Sequence, residues 1–162
     1  MNIEKRLYYP ITDEILGLLA SLAKKEKEDF FRRNPSAAPL YRDRFVAAAL
    51  CQGAALHFLG RGNGVKDIDI HIFYIQHPNR RQLSRTVYSV AHDFPEFGAR
   101  RVDFIRTVVP ERIVAAGGGN PVKVLRAFLR EEPTKNSFYL AQKAVIGLLP
   151  GSIFGAVVWP AS

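Results

Sequence analysis

The segment GVKDIDIHIFYI, from Gly64 to Ile75, restricts the possible folds more than any other part of the chain. Apolar and polar residues alternate along it, which is the pattern of a β-strand whose two faces meet different surroundings. One face carries three isoleucines, which we predict to lie on a hydrophobic core: Ile68, Ile70 and Ile72. The other face carries Asp67, Asp69 and His71. The segment therefore predicts a strand that presents two carboxylates side by side.

Two ionised carboxylates at this spacing repel each other and are costly to desolvate, so they need a counter-charge. Mg²⁺, or Mn²⁺ in its place, takes oxygen ligands of this kind and leaves positions for substrate phosphates. A third acid, Asp103, stands between apolar residues in ARRVDFIRTVV, which we predict to be a nearby strand. We therefore predict that Asp67, Asp69 and Asp103 hold metal ions for an in-line displacement at phosphorus.

Four segments before the acidic strand make up the first half of the predicted fold. A helix is expected from about 12 to 29, with Thr12 as its N-cap and apolar residues at helical spacing. RFVAAALC, ending at Gln52 and Gly53, is consistent with either a buried strand or a buried helix. The following AALHFL is predicted to be a short helix, and GRGNG a tight turn.

After the acidic strand, Thr86 to Phe94 is rich in Thr, Val and Tyr and is predicted to be a strand, with a helix across Arg80 to Ala91 as the alternative. Helices are expected over 121–130, capped by Asn120, and over 134–149. Trp159, with Val157 and Val158, is predicted to form a terminal strand or a docking tail.

The length of 162 residues and the 48% hydrophobic content match one compact domain. We predict a single α/β domain over 1–162, with a small mixed β-sheet flanked by helices. Its core would span about 44–108, with the N-terminal helix 12–29 and the C-terminal helices 121–149 packed on it.

The charge balance favours negatively charged partners. The net charge of +8, from 23 Lys and Arg against 15 Asp and Glu, suits nucleotides, nucleic acid or an acidic membrane face, and does not choose among them. The most apolar late stretch is too short and too interrupted by Gly and Pro to span a bilayer, so we expect a soluble protein without a membrane partner. One cysteine and the absence of a secretory signal indicate the cytoplasm.

The run ALCQGAALHFLGRGNGVKDIDIHIFY, followed by RRVDF, resembles the nucleotidyltransferases of the DNA polymerase beta superfamily. It is most similar to the small bacterial branch that includes antibiotic adenylyltransferases and toxin-like members. The family pattern is a strand, a glycine turn that opens a short helix, two acids separated by one residue on the next strand, and a third acid on a later strand. The resemblance covers roughly Arg44 to Val108.

This resemblance implies that Asp67 and Asp69 bind the metal ions, with Asp69 bridging both, and that Asp103 binds the catalytic metal and helps to activate the acceptor hydroxyl. It also implies that Gly53 and Ala54 receive the triphosphate of an NTP such as ATP. Gln52, or Ala54, stands where the family has a glycine. From the residues themselves, Arg61 is a candidate for phosphate contact and His71 a candidate hydrogen-bonding partner behind the ligands.

The predicted function is Mg²⁺-dependent transfer of a nucleoside monophosphate from an NTP to a hydroxyl. The acceptor stays open between a small molecule, a protein side chain and an RNA end, and so does the oligomeric state. The alternative is a catalytically inactive module of the same fold that binds a nucleotide or RNA. A phosphatase that uses Asp-x-Asp as nucleophile and acid is disfavoured, because such acids usually follow a long apolar strand.

Overall fold

The computed structural model describes residues 11–60, 64–65, 67–79, 86–89, 101–131 and 135–160. Its helices are α1 (Asp13–Arg33), α2 (Ala38–Tyr41), α3 (Gln52–Phe58), α4 (Glu111–Ala116), α5 (Pro121–Glu131) and α6 (Lys135–Ala141). Its strands are β1 (Phe45–Cys51), β2 (Asp67–Ile75), β3 (Thr86–Ser89), β4 (Arg101–Val109), β5 (Val145–Leu149) and β6 (Val157–Trp159). A single 3₁₀ turn, Gly151–Ile153, joins β5 to β6.

The six strands form one sheet in the order β3-β4-β2-β1-β5-β6. β2 and β4 are parallel, and every other neighbouring pair is antiparallel. Helices α1 and α3 contribute to one core and α5 and α6 to the other, so the sheet lies between two helical layers. The prediction of a mixed sheet flanked by helices is confirmed.

Helix α1 covers the face of the sheet that carries the isoleucines of β2. Thr12 caps the helix by accepting a hydrogen bond from the Ile15 backbone N–H at 3.2 Å, as its position predicts. Leu16 and Leu19 of α1 are fully buried in the same core as Ile68 and Ile70. The alternation of β2 therefore arises because its two faces meet different layers.

Helices α5 and α6 cover the opposite face. Asn120 caps α5, because its side-chain oxygen accepts from the backbone N–H of Lys123 at 3.2 Å. Phe128 of α5 packs edge-on against Phe73 of β2, with ring centroids 6.1 Å apart. Since Phe73 shares a face with Asp67 and Asp69, this helical layer and the acids lie on the same side of the sheet.

The prediction of a helix over 134–149 is wrong in its second half. The helix ends at Ala141, and VIGLL forms strand β5, which pairs with β1 in the interior of the sheet. A short apolar run has no periodicity that separates a buried strand from a buried helix, and pairing with a distant strand decides the outcome. Gly147 fits this strand because a Cβ there would stand 2.2 Å from the carbonyl oxygen of Ile153.

The remaining differences are smaller. RFVAAALC, whose sequence is consistent with either a strand or a helix, contains strand β1. Before β1, Pro39 lies in the single helical turn α2. The strand predicted over 86–94 is present at Thr86–Ser89, and its continuation lies outside the described residues. In the part of the chain that the structure describes, no helix combines the length and the apolar character needed to cross a membrane.

Candidate active site

The N-terminal end of β2 displays the two acids as its alternation predicts. Ile68 and Ile70 have no exposed surface, whereas the Asp67 side chain is 34% exposed and Asp69 is partly exposed. The isoleucines point to the α1 layer because burying them there removes apolar surface from water. The carboxylates are thereby presented on the opposite face.

Asp103 joins these acids through the parallel pairing of β2 and β4. In that register Asp69 lies opposite Asp103, and Asp67 lies opposite Arg101. Residues directly opposite each other in a sheet point to the same face, and neighbouring strands are about 4.8 Å apart. The Asp103 side chain is only 3% exposed, so this carboxylate forms the inner part of the group. We call Asp67, Asp69 and Asp103 the acid cluster.

The Arg101 guanidinium lies between two members of the acid cluster. Its Nε is 3.4 Å from Oδ1 of Asp103, and its Nη2 is 3.9 Å from Oδ2 of Asp67. Among the described residues, Arg101 is thus a cation shared by two of the three acids, in a chain whose net charge is +8. A further cation is the kind of ligand that such a site favours.

Within the described ranges, no group of three or more His, Cys, Asp or Glu side chains converges closely enough to hold one metal ion. The strand register nevertheless puts the backbones of Asp69 and Asp103 side by side, so their carboxylates can approach through side-chain rotation alone. The Arg101 guanidinium lies between the carboxylates of Asp67 and Asp103. A cation would therefore have to displace that guanidinium in order to reach all three acids.

Cys51 borders the acid cluster on its other side. It is the last residue of β1, it pairs with Asp69, and it is fully buried. Burial raises the pKa of the Cys51 thiol, the Asp69 charge raises it further, and a hydrogen bond with the backbone of His71 partly opposes both effects. The thiol is therefore kept protonated, which does not suit a nucleophile.

β1 passes directly into α3 at Gln52. Gln52 has a φ of +61°, a left-handed backbone conformation that side chains make costly and that glycine adopts freely. Gly53 and Ala54 follow in the first turn of α3, and Ala54 is fully buried.

His71 is buried behind the acid cluster on the same face of β2. Its Nδ1 is 3.0 Å from the Thr107 hydroxyl of β4, and its ring stacks on Phe73 with centroids 6.0 Å apart. The hydrogen bond fixes the ring orientation across the two parallel strands. His71 therefore supports the floor of the site and has only 6% of its surface exposed.

Three residues near the acid cluster were not predicted from sequence as part of it: Arg101, Cys51 and Thr107. Arg101 could have been inferred, since it stands two residues before Asp103 and so shares its face once the segment is taken as a strand. Cys51 and Thr107 depend on pairing between distant segments, which carries no local signal. Arg61, predicted to contact phosphate, lies outside the described residues.

The geometry of the site and of the sheet does not by itself identify a protein family. No protein-family model, no curated protein and no solved structure matches the chain.

Proposed function

We propose that the chain is a nucleotidyltransferase that moves a nucleoside monophosphate from an NTP to a hydroxyl acceptor and releases pyrophosphate. The observation that carries this proposal is the register of β2 and β4, which sets Asp69 opposite Asp103 with Asp67 two residues away on the same face. Burying a carboxylate is costly, so acids that served only to face solvent would not require a nearly buried acid beside them on a second strand.

The donor set of the acid cluster fits Mg²⁺, with Mn²⁺ as a substitute. All three ligands are hard carboxylate oxygens, and two of them, Asp69 and Asp103, lie opposite each other on neighbouring strands. When bound, the metal would neutralise charge that develops on the transferred phosphoryl group and its leaving group. Asp67 and Asp69 would hold it from β2, and Asp103 from β4.

The remaining roles fall to residues around the acid cluster. Asp103, the most enclosed carboxylate, would accept the proton of the acceptor hydroxyl at a carboxylate oxygen. Gly53 and Ala54 would offer backbone amides to the triphosphate, as the resemblance implies. Arg101, once released from Asp67 and Asp103, would contact a phosphate of the nucleotide. The proposed donor is NTP of the cytoplasm. One buried free thiol is compatible with that reducing compartment.

A second candidate function is an inactive module of the same fold that binds a nucleotide or RNA. The observation that favours it is Arg101, which already neutralises part of the acid cluster through Asp67 and Asp103. In that case Arg101 would be a permanent counter-ion, and nucleotide binding would be indifferent to Mg²⁺.

The test compares the wild type with Asp69→Asn and with Asp43→Asn, an exposed acid in a turn outside the site. Each protein is incubated with α-labelled NTPs and a panel of hydroxyl acceptors, with Mg²⁺ or with EDTA. The proposal expects Mg²⁺-dependent label transfer and pyrophosphate release by the wild type and Asp43→Asn, and none by a folded Asp69→Asn. Nucleotide binding that ignores Mg²⁺, with no transfer by any of the three proteins, would instead support the inactive module.

A further inference from the structure

The most exposed large apolar side chains of the described residues are two consecutive aromatics on α6. Phe138 is 64% exposed and Tyr139 is 55% exposed, with ring centroids 6.4 Å apart. The next residue, Leu140, is fully buried and anchors the helix to the α5–α6 core. Two aromatic rings left in water on a well-anchored helix indicate a surface that binds something.

A partly buried tryptophan lies against the C-terminal end of the same helix. The Trp159 indole Nε1 donates to the carbonyl of Ala141, the last residue of α6, at 2.9 Å. Arg126 of α5 donates to the carbonyls of Val157 and Val158, each at 3.0 Å, and so fixes β6 against α5. The three aromatic side chains are therefore carried by elements that hold one another in place.

One positively charged side chain lies over the tryptophan ring, and another follows the end of α6. The Arg130 guanidinium lies over the Trp159 ring, 5.8 Å from its centroid, and Lys143 is exposed just beyond α6. From 133 to the end of the chain the sequence contains no Asp or Glu, and between Pro121 and that point its only acids are Glu131 and Glu132. We call Phe138, Tyr139, Trp159, Arg130 and Lys143 the aromatic–basic surface.

The aromatic–basic surface begins at the end of the sheet that carries the acid cluster. One lateral row of paired residues runs across the sheet: Trp159, Val145, Cys51, Asp69, Asp103. Three strand spacings of about 4.8 Å separate Trp159 from Asp69, or roughly 14 Å. About four stacked nucleotides, at roughly 3.4 Å each, cover that distance.

We propose that the aromatic–basic surface binds a single-stranded polynucleotide and leads its 3′ hydroxyl to the acid cluster as the acceptor. Unpaired bases stack on exposed aromatic rings, while arginine and lysine contact the phosphates between them. The acceptor role rests on the proposed transferase function; the binding does not. A docking protein would use the same rings but has no requirement for cations beside them or for proximity to the acids.

The binding test uses a labelled single-stranded RNA of about 12 nucleotides, the DNA of the same sequence, and the matching duplex, all in EDTA. The double variant Phe138→Ala/Tyr139→Ala should bind either single strand about tenfold more weakly or worse, since stacking on each ring is lost. Phe154→Ala is the matched control: it is also an exposed phenylalanine, but it follows the 3₁₀ turn after β5, away from α6. It should bind as the wild type does.

A second comparison uses two variants that each remove one positive charge. Lys143→Gln should weaken binding and lower the dependence of affinity on salt between about 50 and 200 mM, whereas Lys24→Gln on α1 should change neither. The affinities for the single-stranded RNA and the single-stranded DNA show which polynucleotide is preferred. Binding that is unchanged in the double variant, or a duplex bound as tightly as the single strands, would overturn the inference.

Because the binding assay contains no metal ion, a negative result in it can be distinguished from a negative result in the transfer assay. Loss of binding in the double variant, together with no transfer to any acceptor, would leave a polynucleotide-binding protein without the proposed activity. Transfer to a small hydroxyl compound, with polynucleotide affinity unaffected by the double variant, would keep the enzyme and reject this acceptor.

Discussion

Asp69 and Asp103 lie directly opposite each other on the two parallel strands of the sheet. Their backbones are one strand spacing apart, about 4.8 Å, and two like charges at about that distance would repel each other by roughly 1–3 kcal/mol at the dielectric of a protein surface. Arg101 relieves part of this repulsion from the Asp103 side, and Asp69 remains partly open to solvent. The pairing of these two acids is therefore the feature of the fold that most favours a bound cation.

Replacing Arg101 tests whether its guanidinium competes with a metal. Arg101→Gln removes the positive charge from between Asp67 and Asp103, so we expect Mn²⁺ to bind about tenfold more tightly than to the wild type. Titration calorimetry with Mn²⁺ measures the change. Lys24→Gln, which removes one positive charge from an exposed position on α1, should leave the affinity unchanged.

The acid cluster was predictable in part because each of its members carries a local signal. Isoleucine alternation fixed the face of Asp67 and Asp69, and apolar neighbours marked Asp103 as a strand residue. The contact between the two strands was an expectation without a local signal. It depends on the pairing of residues that are 34 positions apart along the chain, Asp69 with Asp103.

The parts that sequence reasoning missed are those that tertiary pairing decides. VIGLL became strand β5 because β1 offers it an antiparallel partner, while its composition suits a buried helix equally well. Arg106 stands in β4 among apolar residues, and nothing near it in sequence reveals Glu26, its partner on α1. Long-range partners of this kind are outside the reach of periodicity and propensity.

Gln52 supplies a prediction about strain. Its left-handed conformation costs a residue with a side chain about 1–2 kcal/mol. A glycine avoids this cost, and most of the gain remains after the larger loss of backbone entropy that glycine undergoes on folding. Gln52→Gly should therefore raise the free energy of unfolding by about 0.5–1 kcal/mol, measured by urea denaturation. Gln52→Ala keeps the Cβ and is the matched control. Equal midpoints for the glycine and alanine variants would show that this backbone position is not strained.

Cys51 makes stability depend on alkaline pH. Burial, followed by the charge of Asp69, raises the pKa of its thiol, so the unfolded chain loses this proton first as the pH rises above about 8.5. The stabilisation is complete below that pH and declines above it, by up to about 1.4 kcal/mol per pH unit. Tyr74 adds a decline of the same sign from about pH 10, because burial raises the pKa of its hydroxyl as well.

Urea denaturation under reducing conditions, at a series of pH values from about 7 to 10, measures this decline. Cys51→Ala lacks the thiol, so its free energy of unfolding should change little between about pH 8.5 and 10, even though the cavity lowers the overall value. A decline of the same slope in this variant would assign the pH dependence to other groups.

Glu26 and Arg106 form a buried ion pair that joins α1 to β4. Nη2 of Arg106 is 2.7 Å from Oε1 of Glu26, the Arg106 side chain has no exposed surface, and its guanidinium carbon lies 3.8 Å from the centroid of the Phe30 ring. Burial lowers the pKa of Arg106, and Glu26 opposes that shift. Glu26→Gln would remove the carboxylate charge that faces this buried guanidinium, so we expect the free energy of unfolding to fall by about 3–5 kcal/mol.

Glu28→Gln, an exposed position on the same helix, is the control and should change the free energy of unfolding by less than about 0.5 kcal/mol. The double variant Glu26→Leu/Arg106→Met removes both charges and should recover most of the stability lost in Glu26→Gln, because an apolar pair of similar volume avoids the desolvation cost. Thermal and urea unfolding give the three values. A Glu26→Gln variant as stable as Glu28→Gln would mean that Arg106 finds adequate compensation elsewhere, and that this pair does not attach α1 to the sheet.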